Sequence, residues 1–457
     1  MENLLYFDSH AWVGKCGYRH PLHIWKTEDI LSEMERTGIA GALVYHGLAK
    51  THSPIYGNKR LEEEIKKSDR LVGCWAVMPD HLGDFHAPAE LIQQMKENQI
   101  KAAKIFPQSH HFVPDQRTLD SLLSVFEREQ LPLLIDAQEI SLGQLGELAA
   151  AYPNLTFLLQ GLSWSQERKL FPIMDEHTNL CIELSTLQAN AFIETAYNRY
   201  GAERLFFGSG MPFKSPGAAR AFIDYARIPL EAKRLIAGMN LVRLLGVTPP
   251  AAHAPDQDEV TVQASQGKPI QIPVLDSHTH LIEDGGATGS GFPMIQGDIE
   301  SMIQLYQTMG IRKISIAPWV GINGGDSEAG NLVAEKAIAR FPKQVEGYVL
   351  IDPNYVEDVE EEARKWHLHK GFRGMKPYYF LSRIPYNDPI YAPWWQLGNE
   401  LKLYALIDPA LQSDEEYMKQ IAELAERYPD VAIFMDHAAR SFDIAEKYAA
   451  VASKYDN

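Results

Sequence analysis

The chain has 457 residues, of which 45% are hydrophobic and 23% are charged. This composition is typical of soluble globular proteins and excludes wholesale disorder. The 60 acidic residues outnumber the 43 basic ones and give a net charge of −17, which argues against nucleic-acid or acidic-membrane partners. The length predicts two or three domains, although one α/β barrel alone can take about 250 residues.

No targeting or membrane segment is evident. The N-terminus lacks the basic and apolar regions of a secretory signal, and no run of 18 apolar residues predicts a membrane span. The cysteines, Cys16, Cys74 and Cys181, are odd in number and widely spaced. This spacing argues against a disulfide framework or a zinc–thiolate site. We therefore expect a cytoplasmic protein.

Residues 1–247 alternate short apolar runs with amphipathic stretches, which is the pattern of βαβ units in a parallel sheet. One such stretch, Leu119–Glu129, has apolar residues at helical spacing. Eight strands are predicted, at Leu4–Asp8, Gly41–Tyr45, Leu71–Val77, Ala102–Phe106, Leu131–Asp136, Leu155–Gln160, Leu180–Leu184 and Arg204–Gly208. Eight units in this length fit one complete (β/α)8 barrel of the TIM type.

Residues 248–272 are rich in proline, alanine and polar residues, and this composition indicates a linker. A short strand is predicted within it at Val260–Gln263.

The order of strands restarts in residues 273–457. Six strands are predicted, at Val274–Ser277, Lys313–Ala317, Val345–Ile351, Gly374–Pro377, Leu403–Asp408 and Val431–Met435, followed by a helix at Phe442–Lys454. The fold class is therefore α/β, with two tandem TIM-barrel-like domains. We expect the first to be complete and the second to be truncated after strand six, with unpaired edges at its first and sixth strands.

The two parts align as an internal repeat. Asp-Ser-His occurs at 8–10 and again at 276–278, and both copies end a predicted first strand. Further matches lie at a nearly constant distance along the chain: Lys104 with Lys376, Asp136 with Asp408, and Gln160 with His437.

The strongest chemical signal is Asp276-Ser-His-Thr-His280 at the end of the ninth predicted strand. Alternate residues of a strand face the same way, so His278 and His280 can both point into a barrel and hold one divalent metal. Functional residues of such barrels lie at the carboxyl ends of strands, which suits this position. The alternative is a pair of polar residues in a turn, and the strand-end position favours a site.

These motifs resemble the amidohydrolase superfamily, in particular its amidohydrolase-related branch of metal-dependent hydrolases and decarboxylases. Asp-x-His-x-His on strand one is similar to the family's metal motif. The segments Arg204–Pro212, Asn240–Gly246 and Gly371–Pro377 resemble its strand-eight, closing-helix and strand-four motifs. The resemblance covers nearly all of both halves and implies two tandem copies of the fold.

The resemblance implies that the first domain has lost its metal. The family holds the metal with two strand-one histidines, a strand-five histidine and a strand-eight aspartate. In the first domain His10 is kept, but Trp12 stands at the second histidine, and Asp136 and Gly210 replace the other two ligands. The remaining polar residues could still bind a small molecule, although a relic pocket with a structural role is favoured; they are His10, Lys104, Asp136, Gln138 and Gln160.

The second domain keeps more of the family pattern. The resemblance implies that His278, His280 and Asp408 bind a divalent metal, with zinc expected and manganese or iron as alternatives. The strand-eight aspartate has no counterpart before the last residue, Asn457. His437 is the expected general acid/base, because histidine titrates near neutrality. Lys376 is either a cation for a carboxylate substrate or an ordinary solvated charge.

The expected function is metal-dependent hydrolysis of a C–O or C–N bond in a small molecule by the second domain. One alternative is decarboxylation of a small carboxylic acid on the same scaffold. Another is a non-catalytic pseudoenzyme or assembly module, either as a homo-oligomer or through pairing of the two barrels within the chain. Substrate identity is not predicted, because the loops that would determine it match no motif.

Overall fold

The structure, a computed structural model, describes residues 4–15, 24–163, 166–187, 189–255, 258–283, 295–409, 412–438 and 442–457. It contains two compact units, Met1–Pro269 and Ile270–Asn457, which we call unit one and unit two. No helix in these described ranges combines the length and the apolar character needed to cross a bilayer.

Unit one is a barrel of eight parallel strands hydrogen-bonded in chain order, which confirms the predicted architecture. The strands are β1 (Tyr6–Val13), β2 (Ile39–His46), β3 (Leu71–Val77), β4 (Ala102–Ile105), β5 (Leu133–Asp136), β6 (Phe157–Gln160), β7 (Leu180–Glu183) and β8 (Leu205–Phe206). The barrel closes where the Ser9 amide donates to the Phe207 carbonyl at 3.0 Å and the Trp12 amide donates to the Met211 carbonyl at 3.2 Å.

Helices follow the strands of unit one and cover the sheet. They are α1 (Thr27–Thr37), α2 (Gly47–Thr51), α3 (Pro54–Ile65), α4 (Pro88–Glu97), α5 (Gln116–Glu129), α6 (Leu142–Ala151), α7 (Glu167–Glu176), α8 (Phe192–Tyr200), α9 (Pro216–Asp224), α10 (Leu230–Arg234), α11 (Asn240–Leu245) and α12 (Glu259–Ser265), with a π-helical turn at Leu235–Met239. The predicted amphipathic stretch is α5. Asp115 caps this helix by accepting a hydrogen bond from the Thr118 amide, and its apolar face is buried.

Unit two contains a parallel sheet of six strands, also in chain order. They are β9 (Val274–Thr279), β10 (Ile311–Ile316), β11 (Val345–Val349), β12 (Gly374–Met375), β13 (Tyr404–Ile407) and β14 (Ala432–Met435). In the part of the chain described, β9 pairs only with β10 and β14 only with β13. Leu275 and Phe434 on these edges are 66% and 41% exposed, whereas their counterparts Phe7 and Leu158 are buried. The predicted open edges are therefore confirmed.

The helices of unit two enclose a core rich in aromatic residues. They are α13 (Ile299–Met309), α14 (Trp319–Ile322), α15 (Ser327–Arg340), α16 (Val359–Arg364), α17 (Tyr379–Ser382), α18 (Ala392–Leu401), α19 (Asp414–Arg427) and α20 (Phe442–Ala452), with a π-helical turn at Lys365–His369 and a 3-10 turn at Pro389–Tyr391. Trp366, Trp394 and Trp395 are fully buried in this core. Helix α20 confirms the last predicted helix.

One predicted element is wrong. The segment Val260–Gln263 lies in helix α12 and not in a strand. Asp258 caps this helix by accepting a hydrogen bond from the Val260 amide. The aspartate cap offers the backbone a helical start, and this outweighs the local β-propensity of the valine–threonine–valine run.

The internal repeat is visible in the backbone. Asn179 of unit one accepts a hydrogen bond from the Phe157 amide at 3.0 Å, and Asn457 of unit two accepts one from the Ile433 amide at 2.8 Å. Each asparagine side chain also reaches three carbonyl oxygens of the segment before its neighbouring strand. The two units therefore repeat the same local arrangement around the sixth strand.

Candidate metal centre

The histidine, lysine and aspartate side chains that form the candidate site of unit two lie at the carboxyl ends of its strands. His278 is in β9, His280 follows that strand, and Lys376 and Asp408 directly follow β12 and β13. Asp436 and His437 follow β14. Because all six strands are parallel, their carboxyl ends share one edge of the sheet, so these side chains are brought together.

The two strand-one histidines face each other. The Nε2 atoms of His278 and His280 are 3.1 Å apart. The His280 ring stacks on Trp319, with 4.4 Å between ring centroids and 16° between ring planes. The stacking orients the His280 ring, and its Nε2 faces the Nε2 of His278.

The other nitrogen of each ring has its own partner. The His280 Nδ1 lies 2.9 Å from the Ala317 carbonyl oxygen, which can only accept, so Nδ1 carries the proton. Burial lowers the pKa of His280 to about 4, so this ring is neutral at pH 7 and its Nε2 holds a lone pair. The His278 Nδ1 donates to Asp436 Oδ1 at 3.0 Å. A proton or a metal cation is needed between the two Nε2 atoms, since two facing lone pairs repel.

Asp436 is the centre of the charge network. Its Oδ2 accepts from the Lys376 Nζ at 3.0 Å, and both side chains are almost completely buried. Although burial raises the pKa of Asp436, the hydrogen bond from His278 and the charge of Lys376 outweigh it and hold this pKa well below the ordinary value. Asp436 is therefore an anion that only accepts hydrogen bonds.

His437 forms a second pair with Asp408. Its Nδ1 lies 2.7 Å from Asp408 Oδ2, and its Nε2 lies 3.4 Å from Asp436 Oδ1. The side chain of His437 is 31% exposed, whereas Asp408 is buried. The ligand atoms of His278, Asp436 and His437 also lie within 4.8 Å of one another, so these three residues form a possible metal-binding group.

The backbone at His437 explains how two successive residues reach one site. His437 has a φ of +56°, in the left-handed region, which is uncommon for residues other than glycine. Neighbouring residues of a regular strand face opposite sides. The turn at His437 breaks this alternation, so Asp436 and His437 both join the network.

The strand pairing corrects the predicted match between Gln160 and His437. Ile135 pairs with Leu159 in unit one, and Ile407 pairs with Met435 in unit two. The counterpart of Gln160 is therefore Asp436. The counterpart of His437 is Gly161, whose φ of +64° repeats the same turn.

The structure brings the five predicted site residues of unit two into one network of contacts. They are His278, His280, Lys376, Asp408 and His437, and Asp436 joins them. Lys376 is 1% exposed, so the interpretation as a solvated charge is wrong. Sequence reasoning missed Asp436, although its position at a strand end beside His437 was a usable signal.

The equivalent position in unit one is built from different pairs. The His10 Nδ1 lies 2.9 Å from Glu183 Oε2, a buried carboxylate at the end of β7 that sequence reasoning also missed. Trp12 takes the place of the second histidine and packs against Tyr45 and Phe213. An indole has no lone pair to offer a metal.

A buried ammonium group lies among the oxygens of unit one. The Lys104 Nζ donates to Asp136 Oδ1 and to Gln160 Oε1, both at 2.6 Å. Gln160 in turn donates to the Ser9 carbonyl at 2.6 Å. The absence of a metal in unit one stays a prediction, and the Lys104 cation gives it a physical basis because it already neutralises the Asp136 carboxylate.

Comparison with protein families gives a match that extends over both units. The profile of a family described as amidohydrolase matches residues 37–247 and 276–453. The two matched segments cover most of the chain and lie one in each unit. No curated protein matches the sequence.

Solved structures of similar fold include 5-carboxyvanillate decarboxylase from Sphingomonas paucimobilis, at 14% identity and a TM-score of 0.42, with 54% of this chain and 100% of that chain covered. A 2,6-dihydroxybenzoate decarboxylase from Rhizobium matches at 16% identity and a TM-score of 0.45, covering 54% of this chain and 99% of that one. A dihydroxybenzoic acid decarboxylase from a Polaromonas species, with bound manganese and 2-nitroresorcinol, matches at 15% identity and a TM-score of 0.46, covering 53% of this chain and 97% of that one.

Proposed function

The chain belongs to the amidohydrolase family, and from this membership we propose that unit two is a metal-dependent hydrolase that cleaves a C–O or C–N bond of a small molecule. The observation that carries the proposal is the pair of Nε2 atoms of His278 and His280, which face each other at 3.1 Å. The partners of the two Nδ1 atoms fix both rings in this orientation.

The distance between these nitrogens fits one divalent ion. Two nitrogens bound at about 2.0–2.1 Å with a tetrahedral angle lie about 3.3 Å apart. Nitrogen and carboxylate ligands suit zinc, manganese or iron, and we propose zinc as the resident ion. Asp408 stays the proposed third ligand. A divalent ion held by these residues would act as a Lewis acid and would lower the pKa of its bound water to near 7.

His437 is the proposed general acid/base. The Asp408 carboxylate accepts the Nδ1 proton of His437 at 2.7 Å and thereby fixes the ring. The Nε2 of His437 lies 3.4 Å from Asp436 Oδ1, and from this position it would exchange a proton with water and with the leaving group. Its partial exposure supports this role, because a group that exchanges protons with a substrate must be reachable.

The contacts of Lys376 argue against the predicted role as a cation that binds a substrate carboxylate. Its Nζ is bound to Asp436 in a buried ion pair, so a substrate carboxylate would have to displace Asp436 to reach it. We propose that Lys376 neutralises the site and holds Asp436 in place.

Metal binding by the full chain is the direct test. We expect about one zinc ion per chain after loading and desalting, measured by elemental analysis. Substituting His278→Ala or His280→Ala removes one of the two facing nitrogens and should lower the bound metal to background.

The matched control is His10→Ala, which changes the corresponding histidine of unit one and should leave the bound zinc unchanged. Zinc content that stays at background in the metal-loaded wild-type chain would rule out the metal-dependent hydrolase. If the wild-type chain binds zinc as expected, hydrolysis should be assayed with panels of small esters, lactones and amides. Release of CO2 from small aromatic or unsaturated acids would instead identify the decarboxylase alternative.

A further inference from the structure

The Nδ1 atoms of the two strand-one histidines of unit two have different kinds of partner. That of His280 contacts a backbone carbonyl, whereas that of His278 contacts the carboxylate of Asp436. His280 is oriented by the Ala317 carbonyl, whereas His278 depends on Asp436 Oδ1 at 3.0 Å. Because an ionised carboxylate can only accept, this contact places the proton of His278 on Nδ1 and turns Nε2 toward His280.

We propose that Asp436 is the positioning residue of the metal centre and that, with Lys376, it fixes the ring of His278 for metal binding. The inference rests on the proposed function and adds residues to which the family pattern gives no part. A carboxylate behind a ligating histidine fixes its tautomer and raises its basicity, and its loss typically weakens metal binding 10- to 100-fold.

The ion pair with Lys376 fixes the position of the Asp436 carboxylate. Its buried Nζ binds Oδ2, so the other oxygen, Oδ1, is left to face the two histidines His278 and His437. Two-point attachment of a carboxylate fixes its plane, and an ion pair this deeply buried resists solvent screening.

Unit one provides the comparison. At the position of Asp436 it has Gln160, which bonds to Lys104 and to the Ser9 carbonyl, while His10 pairs with Glu183. The lysine is present in both units. In unit one the carboxylate between the lysine and the histidine is the fifth-strand Asp136, whose Oδ1 lies 2.6 Å from the Lys104 Nζ but 3.8 Å from the His10 Nε2. In unit two it is the sixth-strand Asp436, which lies 3.0 Å from both of its partners.

A direct ligand role for Asp436 is the competing arrangement. An ion held by His278 Nδ1, Asp436 and His437 Nε2 would satisfy the possible metal-binding group. It would also leave the Nε2 lone pair of His280 directed at His278 without a cation. An ion between the two Nε2 atoms satisfies both rings and leaves the Asp436 contact intact, which favours positioning.

The test compares the zinc affinity of full-length variants by competition with a chelator. We expect Asp436→Ala to bind zinc 10- to 100-fold more weakly than wild type. Asp436→Asn keeps an acceptor oxygen for the His278 Nδ1 and should recover most of this loss. The control Gln160→Ala changes the equivalent position of unit one and should bind zinc as wild type does.

Because Asp436→Ala leaves a buried ammonium unpaired, folding is tested separately with Lys376→Met and with the double variant Lys376→Met, Asp436→Ala. The double variant should bind zinc at least 10-fold more weakly than Lys376→Met. The visible spectrum of the cobalt-loaded Asp436→Asn chain should keep the wild-type bands, since no ligand is lost.

Two results would overturn the inference. One is equal zinc affinity in wild type and Asp436→Ala. The other is an Asn variant that loses as much affinity as Ala and shows altered cobalt bands, which would make Asp436 a ligand. Failure of the wild-type chain to bind zinc would instead reject the proposed function, so the two failures are distinguishable.

Discussion

Lys104 and Lys376 occupy equivalent positions at the carboxyl end of the fourth strand of each unit, and both are 1% exposed. A buried ammonium needs a paired anion, because desolvation without a partner costs several kcal/mol. Lys104 pairs with Asp136 and Lys376 with Asp436. The same cation therefore neutralises the fifth-strand carboxylate in one unit and the sixth-strand carboxylate in the other, which leaves Asp408 to His437.

The Asp136 carboxylate should make the stability of unit one depend on acid. Burial raises its pKa, but the charges of Lys104, His10 and Lys50 outweigh burial and lower the pKa from 3.8 to about 2. A depressed folded pKa contributes stability above about pH 4 that is lost as pH falls toward 2. We expect the free energy of unfolding to drop by about 2 kcal/mol across that interval through this group.

The measurement is denaturant unfolding of wild type and Asp136→Asn at pH 4 and pH 2. The variant should be less stable at pH 4, because Lys104 loses its partner, and should show a shallower acid dependence. Asp69→Asn, a change at an exposed aspartate, serves as the control. An Asp136→Asn chain with the full wild-type acid slope would contradict this account.

At the site, the sequence predicted which residue types meet at the strand ends, and their roles stay predictions. His278, His280, Asp408 and His437 were named on that basis. Asp436 was not, because strand alternation allows only one of two neighbours to face the site. The left-handed turn at His437 is a backbone property, and no periodicity of apolar residues reports it.

At the scale of elements, the strands and their order followed from apolar runs because every strand of a parallel barrel is covered on both faces. The ends of strands were less accurate. The first strand continues through Val13 and the second starts at Ile39, since pairing with neighbours extends a strand beyond its apolar stretch. Apolar runs also failed to predict helix α12, because the start of that helix depends on one capping aspartate, Asp258.

The asparagine before β7 should be a structural anchor of unit one. The Asn179 Nδ2 donates to the carbonyl oxygens of Ala149, Tyr152 and Leu155 at 3.1, 2.9 and 3.0 Å. Asn179→Ala leaves these carbonyls without that donor, and we expect the free energy of unfolding to fall by about 1–3 kcal/mol.

Asn179→Asp should be more damaging than the alanine change, because it places a carboxylate against carbonyl oxygens. Denaturant unfolding measures both effects, with exposed Asn154→Ala as the control. A stability loss no greater for Asn179→Ala than for Asn154→Ala would show that solvent replaces the donor without loss.

At the scale of the whole molecule, one metal should stabilise only one of the two units. A ligand that binds the folded state raises its stability by mass action, by about 2.7 kcal/mol at a hundred times Kd. For a unit of the size of Ile270–Asn457, this corresponds to a rise in Tm of about 5–10 °C. Calorimetry of the full chain should show one transition that moves with zinc and one that does not.

The same scans on His278→Ala should show no zinc-dependent shift. Both transitions moving equally in wild type would mean that the units unfold together or that both bind metal, and His10→Ala distinguishes these cases. A zinc-dependent shift that persists in His278→Ala would place the metal elsewhere in the chain.

The left-handed backbone at His437 lowers the stability of unit two relative to a glycine at the same position. A residue with a β-carbon in this conformation gives up about 1 kcal/mol relative to glycine. Unit one has Gly161 at the equivalent turn, and glycine adopts this backbone conformation without strain. Selection for stability alone would favour the same residue at position 437. The histidine therefore makes the molecule less stable there than its own architecture allows, and it is the residue for which we propose proton transfer.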